Sequence, residues 1–153
     1  LFLFALLSEI PFNLAFCGSL SGPHYQNVFF TLFIGLLVLI GLKYFEETLP
    51  LRLSWLRFIV ALTGIVFAVF LRTDYDAFGI MLIVLLYEFR KFKTLQCIAG
   101  AILMLFNSTT GCLAFILIWL YNGQRGKQLP KYFFYAFYPL HLLLLWLVRM
   151  LIM

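Results

Sequence analysis

His141 follows Pro139 by two residues in the string YPLHLLLL. Proline is favoured at the first position of a helix, so this spacing predicts an imidazole in the first turn of the last apolar segment, Pro139–Met153. Backbone N–H groups there carry partial positive charge, and burial acts in the same sense. Both disfavour imidazolium and leave a neutral ring able to take a proton as a general base. An anchoring role beside the aromatic residues around it is the plainer reading. Glu9 directly follows the apolar run LFLFALLS. A carboxylate beside lipid faces a cavity or a partner, or marks the water interface at a helix end. Asp74 and Asp76 form, with Arg72, a short charged turn between two apolar segments. It can hold an amine or a hydroxyl group, or be a solvated turn with local ion pairs. Glu88, two residues before Arg90, reads as a partner of the basic cluster there.

Two groups of cations flank the later segments: Arg90, Lys91 and Lys93, then Arg125, Lys127 and Lys131. Such groups can grip the phosphates of a nucleotide-like cofactor, and Gly123 and Gly126 would let the second loop approach closely. The same residues also fit the positive bias of loops beside membrane spans. No Walker loop, GxGxxG, GxSxG or HExxH motif occurs in the sequence. Cys17, Cys97 and Cys112 are far apart, with no CxxC or Cys/His ligand spacing, so neither a metal nor a redox pair is indicated.

These residues need a frame to hold them. The chain has 153 residues, 65% hydrophobic and 11% charged, with a mean hydropathy of +1.05. A soluble domain is about 25% charged and about 45–50% apolar, so this chain lacks the polar surface to cover a water-soluble globule. The composition predicts an all-α, polytopic integral membrane helix bundle of about six to seven helices, at roughly 20 apolar residues per span. Residues 1–153 read as a single transmembrane domain. Leu1 opens inside an apolar run with no Met and no basic lead-in, which predicts an N-terminally truncated chain, the C-terminal part of a larger membrane protein.

Residues 1–8 read as a helix end, stopped or kinked by Ser8, Glu9 and Pro11, and residues 12–27 as a turn-rich loop. Val28–Leu42 is a span, Lys43–Arg57 a loop or interfacial segment, and Phe58–Leu71 and Ala77–Tyr87 are further spans. Thr94–Gln124 carries no charge. It is too long for one straight crossing and short for two, and with Asn107–Gly111 at its middle it reads as a hairpin, full or re-entrant. The aromatic run 132–138 reads as an interface belt. Loops 43–57, 90–93 and 122–131 hold nearly all the Lys and Arg, and the opposite loops carry only Arg72, which puts the basic side in the cytoplasm. That sorting explains the net charge of +5 without nucleic acid, because no long basic face exists to meet phosphates.

Several strings together resemble the TraX family: FALLSEIPFNLAF (4–16), QNVFFTLFIGLL (26–37), TDYDAFGIMLI (73–83), YNGQRG (121–126) and YFFYAFYPLHLLLL (132–145). The order and spacing of the strings match as well, over nearly the whole chain. The resemblance implies a bacterial inner-membrane protein tied to conjugative plasmids, whose founding member is linked to N-terminal acetylation of pilin. It implies acetyl-CoA as co-substrate, no metal, and an acceptor such as pilin or a surface glycan. Positions carried over are Glu9, Pro11, Asn27, Asp74, Gly79, Asn122, Gly126, Tyr138, Pro139 and His141. Family members also carry an upstream Asp-His motif that this chain does not include, and Asn13 stands where many relatives have Asp.

Under that resemblance His141, or the upstream His, deprotonates an acceptor amine or hydroxyl, and Asp74 and Glu9 orient the acceptor or the base. Arg90, Lys91, Lys93, Asn122, Arg125 and Lys127 hold the phosphates of CoA. A transporter with a polar path through His141, Glu9 and Asp74, or a non-catalytic scaffold of a conjugation apparatus, are the competing readings. The absence of internal repeats counts against the transporter. The reading frame upstream of Leu1 is expected to encode further spans with an Asp-His pair.

Overall fold

Long apolar runs with few breaks give helices, and the computed structural model describes residues 1–18, 25–48, 50, 53–124, 126 and 130–152, with no strand among them. The elements are α1 (Phe2–Cys17), α2 (Val28–Thr48), α3 (Trp55–Phe70), α4 (Asp76–Glu88), α5 (Lys93–Asn107), α6 (Leu113–Leu120) and α7 (Lys131–Ile152), with a 3-10 turn at Thr110–Cys112.

Three boundaries differ from the sequence expectation. α1 does not stop at Ser8, Glu9 or Pro11; it runs to Cys17 and ends on Gly18, whose left-handed φ of 68° and bond to the Leu14 carbonyl close the helix. A proline removes one N–H from a helix, and at Pro11 the packed neighbours outweigh that loss. α2 continues six residues past Leu42, through a run whose Lys43 and Glu47 face each other one turn apart at 3.8 Å. α7 begins at Lys131 and takes in the whole aromatic run, so Pro139 lies inside the helix and not at its start. Two of its rings pack inward, Tyr135 stacked on Phe4 at 5.0 Å and Tyr138 edge-on to Phe29 at 5.0 Å, while Tyr132, Phe133, Phe134 and Phe137 are exposed.

The core lies between α2, α3 and α4, where Ile34, Val38, Leu42, Ala68 and Ile80 are buried together. Small residues let the helices approach closely. A Cβ on Gly64 would fall inside the Val38 Cγ2 methyl, and one on Gly100 would enter the Phe115 ring. α5 and α6 form the expected hairpin, closed at its base by Lys93 Nζ donating to the Tyr121 carbonyl. α6 has 8 residues, about 12 Å at 1.5 Å per residue, well short of a bilayer core of about 30 Å.

α1 and α7 pack as a parallel pair. Phe4 meets Tyr135 near their starts, and Arg149 Nη1 donates to the Ala15 carbonyl at 3.2 Å near their ends. This register sets Glu9 level with His141. Of the helices, Val28–Thr48 and Tyr132–Ile152 are long and apolar enough to cross a membrane, while Phe2–Cys17, Trp55–Phe70, Lys93–Asn107 and Thr110–Leu120 are apolar and shorter. The surface is apolar almost everywhere, with residues such as Phe70, Phe106, Leu117 and Leu151 exposed. Gly64→Ala is expected to destabilise the α2–α3 contact by about 1–3 kcal/mol, read as a lowered unfolding midpoint in detergent, whereas alanine at exposed Leu62 stays near wild type.

Candidate functional site

The polar groups that the apolar helices bury converge at the start of α2. Asn27 is fully buried. Its Nδ2 donates to the Ala5 carbonyl and to Glu9 Oε2, each at 2.7 Å, and its Oδ1 accepts from the Phe29 N–H at 3.1 Å. One amide thus caps α2 and ties it to two groups of α1. A second tie reaches the α3–α4 turn: the Gln26 N–H donates to the Arg72 carbonyl at 2.9 Å, and the Asp74 N–H donates to the Gln26 carbonyl at 2.8 Å. α7 completes the junction, with the Tyr138 ring edge-on to Phe29 at 5.0 Å, beside the start of α2. Four separate segments therefore bring Glu9, Asn27, Asp74 and Tyr138 to one place.

Three buried hydroxyls border it. Ser8 precedes Glu9, Thr31 lies one turn beyond Asn27, and Thr73 precedes Asp74; all three are buried, and none finds a hydrogen-bond partner among the described residues. Leaving a buried hydroxyl unpaired costs about 1–3 kcal/mol, so the junction holds unused hydrogen-bonding capacity. The turn beside it is strained: Arg72 and Asp76 have φ of 49° and 42°, a region that aspartate tolerates and arginine seldom adopts. Partial desolvation, and after it the charge of Asp76, push the Asp74 carboxyl above the usual aspartate range.

His141 lies one turn along α7 from Tyr138 and is half-buried. It stacks on Phe137 at 5.5 Å and 15°, and meets Tyr138 edge-on. Its Nδ1 is 3.3 Å from the Phe137 carbonyl. A proton on Nδ1 can serve that bond, which leaves the Nε2 lone pair open. The expected first-turn position is corrected: Pro139 is internal to α7, so no exposed N–H groups surround the imidazole and that electrostatic reason for a neutral ring falls away. The structure brings His141 to the level of Glu9, and no carboxylate pairs with it among the described residues.

The cationic candidates sit at the opposite end of α4, about 20 Å away for 13 residues. Arg90 is already engaged, with both Glu46 oxygens at 2.7 and 2.8 Å and the Tyr87 ring beneath its guanidinium at 4.0 Å. Arg57 pairs with Glu88, so Glu88 is not the partner of Arg90. Lys93 is bonded to the hairpin base. Asn122 is exposed, its Oδ1 accepting from the Gln124 N–H at 3.0 Å in a local turn. Lys91 is exposed and makes no ion pair among the described residues. Arg125, Lys127 and the side chain of Lys131 lie outside the described residues. On the groups described, a phosphate clamp reduces to Lys91 unless Arg90 leaves Glu46. No three metal-ligating side chains gather among the described residues.

Beyond the geometry, the TraX protein family matches residues 1–149 of the chain. The chain belongs to the TraX family. Membership fits a conjugation-associated protein. No curated protein and no solved structure matches this chain.

In this TraX chain, composition and spacing singled out Glu9, Asp74 and His141, while Asn27 entered only through the family resemblance and Tyr138 through it and as one ring of the aromatic belt. Thr73 and Thr31 were missed, and Ser8 was read only as a helix-ending residue. A helix start preceded by Asn is a capping signal, so that part of Asn27 was findable; its bonds to α1 required the fold. Asn27→Ala is expected to cost about 3 kcal/mol, combining the lost cap with a buried bond to a charged group, measured by unfolding in detergent micelles. For Asp74 the folded pKa is raised, so its cost is absent below about pH 4, where both states are protonated. It grows as pH rises and is complete above the raised value. Asp74→Asn is therefore expected to be more stable than wild type at neutral pH, with the lead vanishing in acid; Asp76→Asn recovers the smaller share, because desolvation is the larger cause.

Proposed function

We propose that this chain is the core of a polytopic membrane acetyltransferase of the inner membrane, moving an acetyl group from cytoplasmic acetyl-CoA to an amine or hydroxyl acceptor such as pilin or a surface glycan. Support for the membrane placement is physical. The 18-residue window of Tyr132–Ile152 is only 6% buried within the protein, so this apolar helix is not the core of a soluble globule. The directions of the helices agree with alternating sides: α1 and α7 run parallel, and the α5–α6 hairpin returns the chain to the end from which it left.

The observation that carries the reading is the junction itself. Segments far apart in sequence deliver two carboxylates, a capped helix start and unpaired buried hydroxyls to the level of a histidine with a free ring nitrogen. In the proposed reaction the acceptor is oriented by Glu9 and Asp74. His141 Nε2 takes its proton as the nitrogen or oxygen attacks the thioester carbon. The C–S bond breaks, the acetyl group is transferred, and CoA leaves as the thiol. The basic end, at the far end of α4, is where the donor's phosphates would be held. Its distance from the junction requires a long flexible arm, which CoA has.

The scaffold reading is favoured by one feature: among the described residues, His141 bonds only to a backbone carbonyl. Transfer of label from acetyl-CoA by the full-length protein separates the two. His141→Ala is expected to lower transfer by at least 100-fold with normal expression, and Glu9→Gln to raise KM for the acceptor. Full activity in both variants would remove the junction from the chemistry.

A further inference from the structure

A cleft of 630 Å³ runs along the groove between α2 and α3, with Phe2 of α1 at one end. Its walls are hydrocarbon: Phe30, Phe33 and Leu37 from α2, Phe67 and Leu71 from α3. Thr63 is the one hydroxyl-bearing residue in the lining, and its Oγ1 is bonded to the Ile59 carbonyl at 2.8 Å. A polar ligand finds almost nothing to bond there, whereas a hydrocarbon chain finds continuous contact.

The end at Leu71 adjoins the turn that carries Arg72, Asp74 and Asp76. Arg72 is exposed and has no ion pair among the described residues, whereas Lys43, Arg57 and Arg90 each face a glutamate. Asp74 is held above its ordinary pKa by desolvation and by Asp76, so a cation beside it would be stabilised. A free cation at position 72, with carboxylates at 74 and 76, complements a head that carries phosphate and a primary ammonium a short distance apart, whose N–H groups can donate to Asp74 as a quaternary choline head cannot. An anionic head without the ammonium would meet the repulsion of Asp74 and Asp76.

We propose that the α2–α3 cleft binds a zwitterionic aminophospholipid, with one acyl chain along the cleft, its phosphate at Arg72 and its ammonium at Asp74. The site rests on the membrane placement proposed above and not on acetyl transfer. The test uses the full-length protein with benzoylphenylalanine replacing Thr63, in nanodiscs holding equal parts phosphatidylethanolamine and phosphatidylcholine. Photo-crosslinking is expected to give lipid adducts enriched several-fold in phosphatidylethanolamine, with the enrichment lost in Arg72→Asn and in Asp74→Asn. Asparagine is chosen at position 72 because it tolerates positive φ. Equal yields of the two lipids, adducts to another protein segment, or enrichment that survives both substitutions overturns the site alone. A protein that does not enter the nanodiscs overturns the membrane placement and the site with it.

Discussion

The side-chain amide of Asn27 is the joint on which the arrangement depends. In apolar surroundings a helix start cannot leave its N–H groups to water, and a carboxylate cannot stand alone. Asn27 meets both demands with one group. Its oxygen accepts from the first turn of α2, and its nitrogen reaches the Ala5 carbonyl and Glu9 of α1. Because its donors are both used, α1 can hold only one height relative to α2. α7 then follows, since it packs along α1 and places Tyr138 against Phe29.

From that joint the rest follows in order. The backbone bridge between Gln26 and Thr73 fixes the α3–α4 turn beside α2, so Asp74 cannot drift from Glu9's end of the bundle. The other end is held by different means: Glu46 grips Arg90, and Arg57 pairs with Glu88. Exposed ion pairs of that kind contribute little stability each, so their role is to hold helix ends together. Along α4, two arginine–glutamate pairs thus stand at one end, and Asp74 and Asp76 with Arg72 stand at the other.

Much of this was legible in the chain. An apolar stretch without charge, turned at Asn107–Gly111, reads directly as a hairpin, and the structure has helices on either side of that turn. Glu9 stood out because a carboxylate after seven apolar residues needs a reason. What was not legible shares one cause: tertiary partners outweighed local rules. Pro11 and Pro139 each signal a helix boundary, yet both lie inside helices because α1 and α7 pack on each other along their length. Glu46 and Arg90 are 44 positions apart, so Arg90 looked free for phosphate when it was not. Asn27 read only as part of a turn-rich loop and as a position shared with the family, since nothing local shows that its nitrogen points back at α1.

In the proposed reaction the acetyl donor reacts at the junction, although its phosphates would be held at the other end of α4. Hydrogen exchange of the full-length protein in nanodiscs, with and without a non-hydrolysable acetyl-CoA analogue, tests it most directly. Slowed exchange is expected both at residues 90–93 and at residues 25–29 and 72–76. Protection confined to the basic end, or found at neither, would contradict it.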